Sequence, residues 1–201
     1  MRHSSVSAIF GEWQILARGG DGLFRAPARA ALEPRRLGRH LADLFILEPD
    51  HNGDPAFRLA GTRICALFGR ELKGVPLQSL WPAQERPALR DLVRNIGDLG
   101  VPALSLHDGV SLSGRSLVFE MLLAPLEDGG LVGGLAAPDA PAWLGADPIV
   151  LASLDRIEPL APDFAPSAPA QKPVARAVNA PLPAPRREIP RLRVIAGGKA
   201  R

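Results

Sequence analysis

Read for the spacing of its apolar positions, the chain opens with a helix: Val6, Ile9, Phe10, Trp13 and Leu16 fall on one stripe, ended before Gly19-Gly20. Pro34 suits a first helical position and predicts a short helix with Leu37 and Leu41 on one side. "ADLFILEPD" is the first strand, apolar on both faces, so each face needs a cover. The turn cluster "DHNGDP" then returns the chain as "AFRLAG", an antiparallel partner with Phe57 and Leu59 on one face.

The stretch "FRLAGTRICALFGRELKGVPLQSLW", residues 57–81, runs from that strand into a short helix opened by Thr62 and closed by Gly69. "RELKG" predicts a second short helix, and an apolar segment ends at Trp81. A strand floor under a wall of short helices makes a cup. Leu89, Leu92, Val93, Ile96 and Leu99 then form the clearest amphipathic helix, with Pro87 near its start and Gly100 past its end. Three β segments follow. "VPALSLHDGVSL" carries Asp108-Gly109, which predicts a tight turn or bulge. "RSLVFEMLLAPL" alternates Leu117, Phe119, Met121 and Leu123 against Val118, Glu120 and Leu122, and "EDGG" turns it into "LVGGLAAP". The order predicts an α+β fold: a five-stranded antiparallel sheet with short helices and one longer helix on one face.

Periodicity is lost over residues 138–185, and nine prolines fall from Pro159 to Pro190 inclusive. Such a stretch buries too little apolar surface to offset the entropy of ordering, so 141–188 is expected to be a disordered linker. "REIPRLRVIAGG" then restores Ile189, Leu192, Val194 and Ile195 with Arg191 and Arg193 between them. The expected organisation is a helix and irregular lead-in over 1–32, a domain over 33–140, the linker, and a short apolar and basic segment over 189–201.

Composition narrows the function classes. With 46% hydrophobic residues the chain can build a core. One cysteine, Cys65, excludes an internal disulfide, and no apolar run is long enough to span a membrane. Arg2 is followed by no apolar run and small-residue cleavage site, so a cytoplasmic protein is expected. The net charge of +3 is uneven. Residues 156–201 carry nine Lys/Arg against three Asp/Glu, whereas residues 1–155 carry fifteen against eighteen. A mildly acidic body is a poor nucleic-acid surface; the basic tail could attract acidic partners without specificity.

At this point the residues resemble a known family. The order of strands and helices is similar to that of a PAS domain, with residues 57–81 in the place of its "NxAfxxlfGyxxxEllGkxxxdl" segment. Phe68-Gly69, Glu71-Leu72 and Gly74 are the matching positions, and "FEMLLAPLEDGG" resembles a late PAS strand. "EW" at 12–13, "RLAGT" at 58–62, Pro125-Leu126 and the final "LRVIAGG" are similar to short single-PAS proteins of alphaproteobacteria. The resemblance implies a sensory or interaction module that binds a small ligand in its cup or simply a protein. With no kinase, cyclase or helix-turn-helix segment following, it implies output through a protein in trans.

Candidate chemistry is sparse. Flavin-binding PAS domains hold a reactive cysteine in an "NCRFL" context that Cys65 lacks, so Cys65 is expected to be a small buried group and no cofactor is expected. Haem-binding relatives place a histidine on the longer helix, which has none; His40, His51 and His107 read as surface or turn residues. His107-Asp108 lacks the further ligands of a metal site, so no metal is expected. The "GGLVGG" run lacks a phosphate loop's Lys-Ser/Thr ending, and its glycines read as close-approach positions. No catalytic residue is assigned. Glu120 is expected to be paired by the first helix or a dimer partner.

The candidate pocket is Leu59, Ile64, Phe68, Leu92, Val93, Ile96, Phe119 and Met121, enclosing either a small ligand or packed core. Val6, Ile9, Phe10, Trp13, Val118 and Leu122 are the candidate dimer or partner surface, with Leu192 and Val194 of the tail as a strand-like docking element. The expected function is a sensory or regulatory module acting by protein contact in a bacterial cytoplasmic pathway. The alternatives are a nucleic-acid-associated regulator using the basic tail and an enzyme with an unrecognised site.

Overall fold

A computed structural model describes residues 1, 3–19 and 23–160. The tail element with Leu192 and Val194 lies outside the described residues. Contacts divide the chain into Met1–Pro166 and Ser167–Arg201, and every described residue belongs to the first unit.

Helix α1 (Ser4–Ala17) is followed by the short α2 (Pro34–Leu37) and a 3₁₀ turn over Gly38–Asp43. Strands β1 (Leu44–Pro49) and β2 (Pro55–Ala60) form a hairpin. Helix α3 (Thr62–Phe68), a 3₁₀ turn at Leu77–Leu80 and α4 (Arg86–Leu99) then cross one face. Strands β3 (Ala103–Ser111), β4 (Ser116–Pro125), β5 (Leu131–Ala136) and β6 (Ile149–Pro159) complete the fold. The architecture is α+β. Its sheet is antiparallel throughout, in the order β2-β1-β5-β4-β3-β6.

Both faces of the sheet are buried. On the inner face Phe45, Phe57, Phe119, Met121 and Leu123 meet Ile64, Phe68, Leu72, Trp81, Leu89, Leu92 and Ile96 of the helical wall. On the outer face Leu44, Leu104, Leu122 and Val132 lie under Val6, Ile9, Phe10 and Trp13 of α1. The alternation of β4 divides its residues between these two cores, which is why the strand reads apolar on both faces.

Polar contacts seat α1. Its first residues are capped by His3, whose Nδ1 accepts the Ser5 N–H at 3.2 Å while its backbone N–H donates to buried Glu120 at 3.1 Å. A carboxylate at the positive end of a helix is favourable. The Trp13 indole N–H donates to the Pro125 carbonyl at 2.8 Å, and Arg36 pairs with Glu12 at 2.7 Å. Two glycines of "GGLVGG" are required by space: a Cβ on Gly133 would enter the Phe45 ring and meet the Leu122 carbonyl, and one on Gly130 would strike the Leu47 carbonyl. Gly69 ends α3 at φ +64°, pressed against Pro148.

Several expectations need correction. The sheet has six strands, not five: residues 149–159, expected to be disordered, pair with the whole of β3. Bulges in that pairing, between Leu106 and His107 and between Val110 and Ser111, break the period-two pattern that would have marked a strand. "RELKG" is a turn, not a helix. Asp108-Gly109 lies inside β3, paired on both sides; the turn comes at Ser111–Arg115. A Cβ on Gly109 would lie 3.3 Å from Ile149 and Phe119, a tight but not closed approach. On α4, Leu89, Leu92 and Ile96 are buried, but Val93 is half-buried and Leu99 is 72% exposed at the helix end.

Candidate functional site

The cup beneath α3, the Leu77–Leu80 turn and α4 brings six of the eight candidate pocket residues together: Ile64, Phe68, Leu92, Ile96, Phe119 and Met121 are all buried in one contiguous cluster. Val93 packs at its rim, where it lines a cavity of about 70 Å³ with Leu47, Gly130 and Leu131. Leu59 does not belong. The β1–β2 register slips between Ile46 and Leu47, opposing Ile46 to Leu59 but Leu47 to Phe57, so Phe57 faces the cup and Leu59 the other side. Leu59 is 47% exposed there.

Phe119 sits at the centre. The Phe68 ring meets it edge-on at 6.3 Å, Trp81 lies tilted at 6.3 Å, and His107, its neighbour across β3–β4, stacks on it at 5.0 Å. Four rings, two from the sheet floor and two from the helical wall, thus fill the cup between them.

A buried polar relay runs through them. The Trp81 indole can only donate, so its N–H, 3.2 Å from His107 Nδ1, makes that nitrogen the acceptor. The imidazole proton must then sit on Nε2, which donates to Ser105 Oγ at 2.8 Å; Ser105 in turn donates to the Met121 carbonyl at 3.2 Å. Every polar side-chain group of the relay is satisfied inside the protein, as burial requires. Burial drives the His107 pKa down to about 3, with a backbone contact to Ser153 opposing it in part. The imidazole is therefore neutral at ordinary pH.

Trp81, His107 and Ser105 were missed as site residues. The signal was partial: Ser105 and His107 are two apart in β3, which places both on the face shared with Phe119 and Met121.

Cys65 is only partly buried at the edge of the cup, its Sγ 3.8 Å from both the Ala60 carbonyl and Glu71 Oε1. Desolvation pushes its thiol pKa up, and the Glu71 carboxylate adds to that, so the thiolate is disfavoured. Near β6, the Ser111 hydroxyl donates to Asp147 at 2.7 Å and holds that carboxyl below its usual range. Among the described residues no group of three or more His, Cys, Asp or Glu side chains is placed to hold a metal ion. Nor is any described helix long and apolar enough to cross a membrane.

The candidate dimer residues are divided. Val6, Ile9, Phe10, Trp13 and Leu122 are buried between α1 and the chain's own sheet, so they are not a free surface; Val118, beyond the reach of α1, is 46% exposed. The apolar stripe of α1 packs on the chain's own sheet.

The profile of a family described as PAS domain matches residues 1–131. No curated protein matches the chain. Among solved structures, a light-oxygen-voltage domain studied with a flavin analogue superposes over 56% of this chain and 87% of its own, at 17% identity and a TM-score of 0.42. The light state of the blue-light photoreceptor aureochrome1 LOV covers 53% and 87% at 17% identity and 0.39. An RNA-binding light-oxygen-voltage receptor covers 64% of this chain and 38% of its own at 18% identity and 0.40.

Proposed function

The chain belongs to the PAS domain family, and from that premise we propose that it is a sensory or regulatory module whose output is contact with another protein. The observation that carries this reading is the filled cup. Where a ligand-binding module would leave space between sheet and helices, Phe68, Trp81, His107 and Phe119 pack ring against ring, with the Trp81 indole and the His107 ring satisfied by each other and by Ser105. A packed cup supports a module read from outside. Cys65 supports the same reading, because its raised pKa and its contacts to Ala60 and Glu71 suit a structural thiol.

The partner belongs to a cytoplasmic signalling pathway in this proposal. The deciding experiment has two arms on the full-length protein. Native mass spectrometry with an absorbance spectrum is expected to give the bare polypeptide mass and no chromophore; a stoichiometric small molecule seated in the cup overturns the filled-cup reading. Affinity capture, with the captured protein identified and the complex rebuilt from purified components, is expected to give a defined stoichiometry. A complex that cannot be rebuilt counts against output by protein contact.

A further inference from the structure

The inner core reaches solvent at the β6 edge of the sheet. There α4 and β6 stand apart around a groove of about 500 Å³, with Leu92 and Ile96 of the core on its floor and Leu99, Val101, Ile157 and Pro159 on its walls. Leu99 is 72% exposed and Ile157 41%, although both line a groove continuous with the core. The polar groups of the lining, Asp91 and Asn95, are themselves exposed, and Asp91 pairs with Arg94 at 3.5 Å, so neither calls for a ligand. What the groove lacks is an apolar side chain to cover it.

Strand β6 ends on this groove. Alternation turns Ile157 and Pro159 into it, while Leu160 packs on the outer-face core and donates its N–H to the Pro102 carbonyl at 2.7 Å. The chain therefore leaves the described residues at the mouth of the groove, and its next four residues are Ala161-Pro162-Asp163-Phe164. Proline at the second position and aspartate at the third are a turn signature, because the ring presets φ and the carboxylate can accept a nearby backbone N–H. Such a turn brings its first and fourth Cα atoms within about 7 Å. That returns Phe164 to the end of β6.

Phe164 is also the one aromatic residue in 161–201, and the next large apolar side chain, Val174, comes ten positions later. Leu160 already covers the outer face at this end, so the apolar surface within reach of the ring is the groove. A cavity of roughly 150 Å³ takes benzene, so a phenyl ring fits with room for Leu99 to fold over it.

We propose that Phe164 seats in the groove between α4 and β6, its ring against Leu99 and Ile157. Residues 161–166 close the unit to which the groove belongs, and a side chain held four residues from Leu160 has a high local concentration there. Seated, the ring extends the inner core past the sheet edge and fastens the chain after β6 to α4. The seat is separate from the ring cluster of the cup, so it stands whether or not the protein-contact reading does.

The test uses the full-length protein. Nuclear Overhauser spectra are expected to show contacts from the Phe164 ring to the methyl groups of Leu99 and Ile157. Amides of residues 96–101 are expected to exchange at least about fivefold faster in Phe164→Ala, which leaves both cores intact, and at the parent rate in Val174→Ala. The proposal is overturned if the ring contacts neither methyl group, or if Phe164→Ala exchanges like the parent. It is equally overturned if protection of 96–101 is lost on deleting residues 186–201 instead, or rises with protein concentration as a second copy in the groove would require.

Discussion

His107 makes the most specific demand of any single residue. Its pKa falls from about 6.5 in the unfolded chain to about 3 in the fold, so the unfolded state binds the extra proton between those values. The stability it contributes is whole above pH 6.5 and is lost as pH falls toward 3, at up to about 1.4 kcal/mol per pH unit. Denaturant unfolding at pH 7.5 and 5.5 should show that loss in the parent and a smaller one in His107→Gln; equal slopes would remove the relay from the account. Trp81→Phe keeps a ring but leaves Nδ1 of His107 without its donor, at a cost of about 1–3 kcal/mol. The bulge in β2 gives a second residue-scale test. Phe57→Glu should unfold the protein or come close to it, while Leu59→Glu two positions away should change stability by no more than about 0.5 kcal/mol. If the two variants melt alike, the register is wrong.

Among the elements, α1 and β6 hold the least expected places. Trp13 is 1% exposed, stacks on Phe10 at 6.2 Å and bonds the end of β4, so Trp13→Ala should cost about 3–5 kcal/mol by thermal or denaturant melting. A loss under 1 kcal/mol would mean that α1 is not seated on the sheet. Strand β6 is fastened at more than its backbone ladder: Leu154 donates its N–H to Glu85 at the start of α4, and Ile149 reaches the inner core. Ile149→Asp should therefore destabilise strongly, by 3 kcal/mol or more on the order of other buried-charge substitutions, whereas exposed Val150→Asp beside it should be nearly neutral. Comparable losses in both would show that β6 does not pair as described.

For the molecule as a whole, a sheet buried on both faces and a cup filled by its own rings make one prediction about ligands. Flavin mononucleotide, added in excess, should leave the melting temperature unchanged, because a ligand stabilises only through sites present in the folded state. A saturable rise would show that the ring cluster opens.

Local pattern was enough for the α+β class, the strand–helix order, the stripe of α1, the division of β4 between two faces and the core of α4, since each of these depends on a period of 2 or 3.6 that the residues carry themselves. For Glu120 the pattern left two partners open, the first helix or a second copy, and the fold pairs it with the backbone N–H of His3 at the head of α1. Three features were not legible, for one shared reason. The sixth strand exists because β3 offers an edge to a segment some 40 residues later, Leu59 leaves the cup because one bulge reverses a strand's faces, and His107 becomes part of a relay because Trp81, 26 residues away, brings its indole N–H to Nδ1. Register, bulges and buried partners are set by contacts between distant residues, and only the assembled fold brings those residues together.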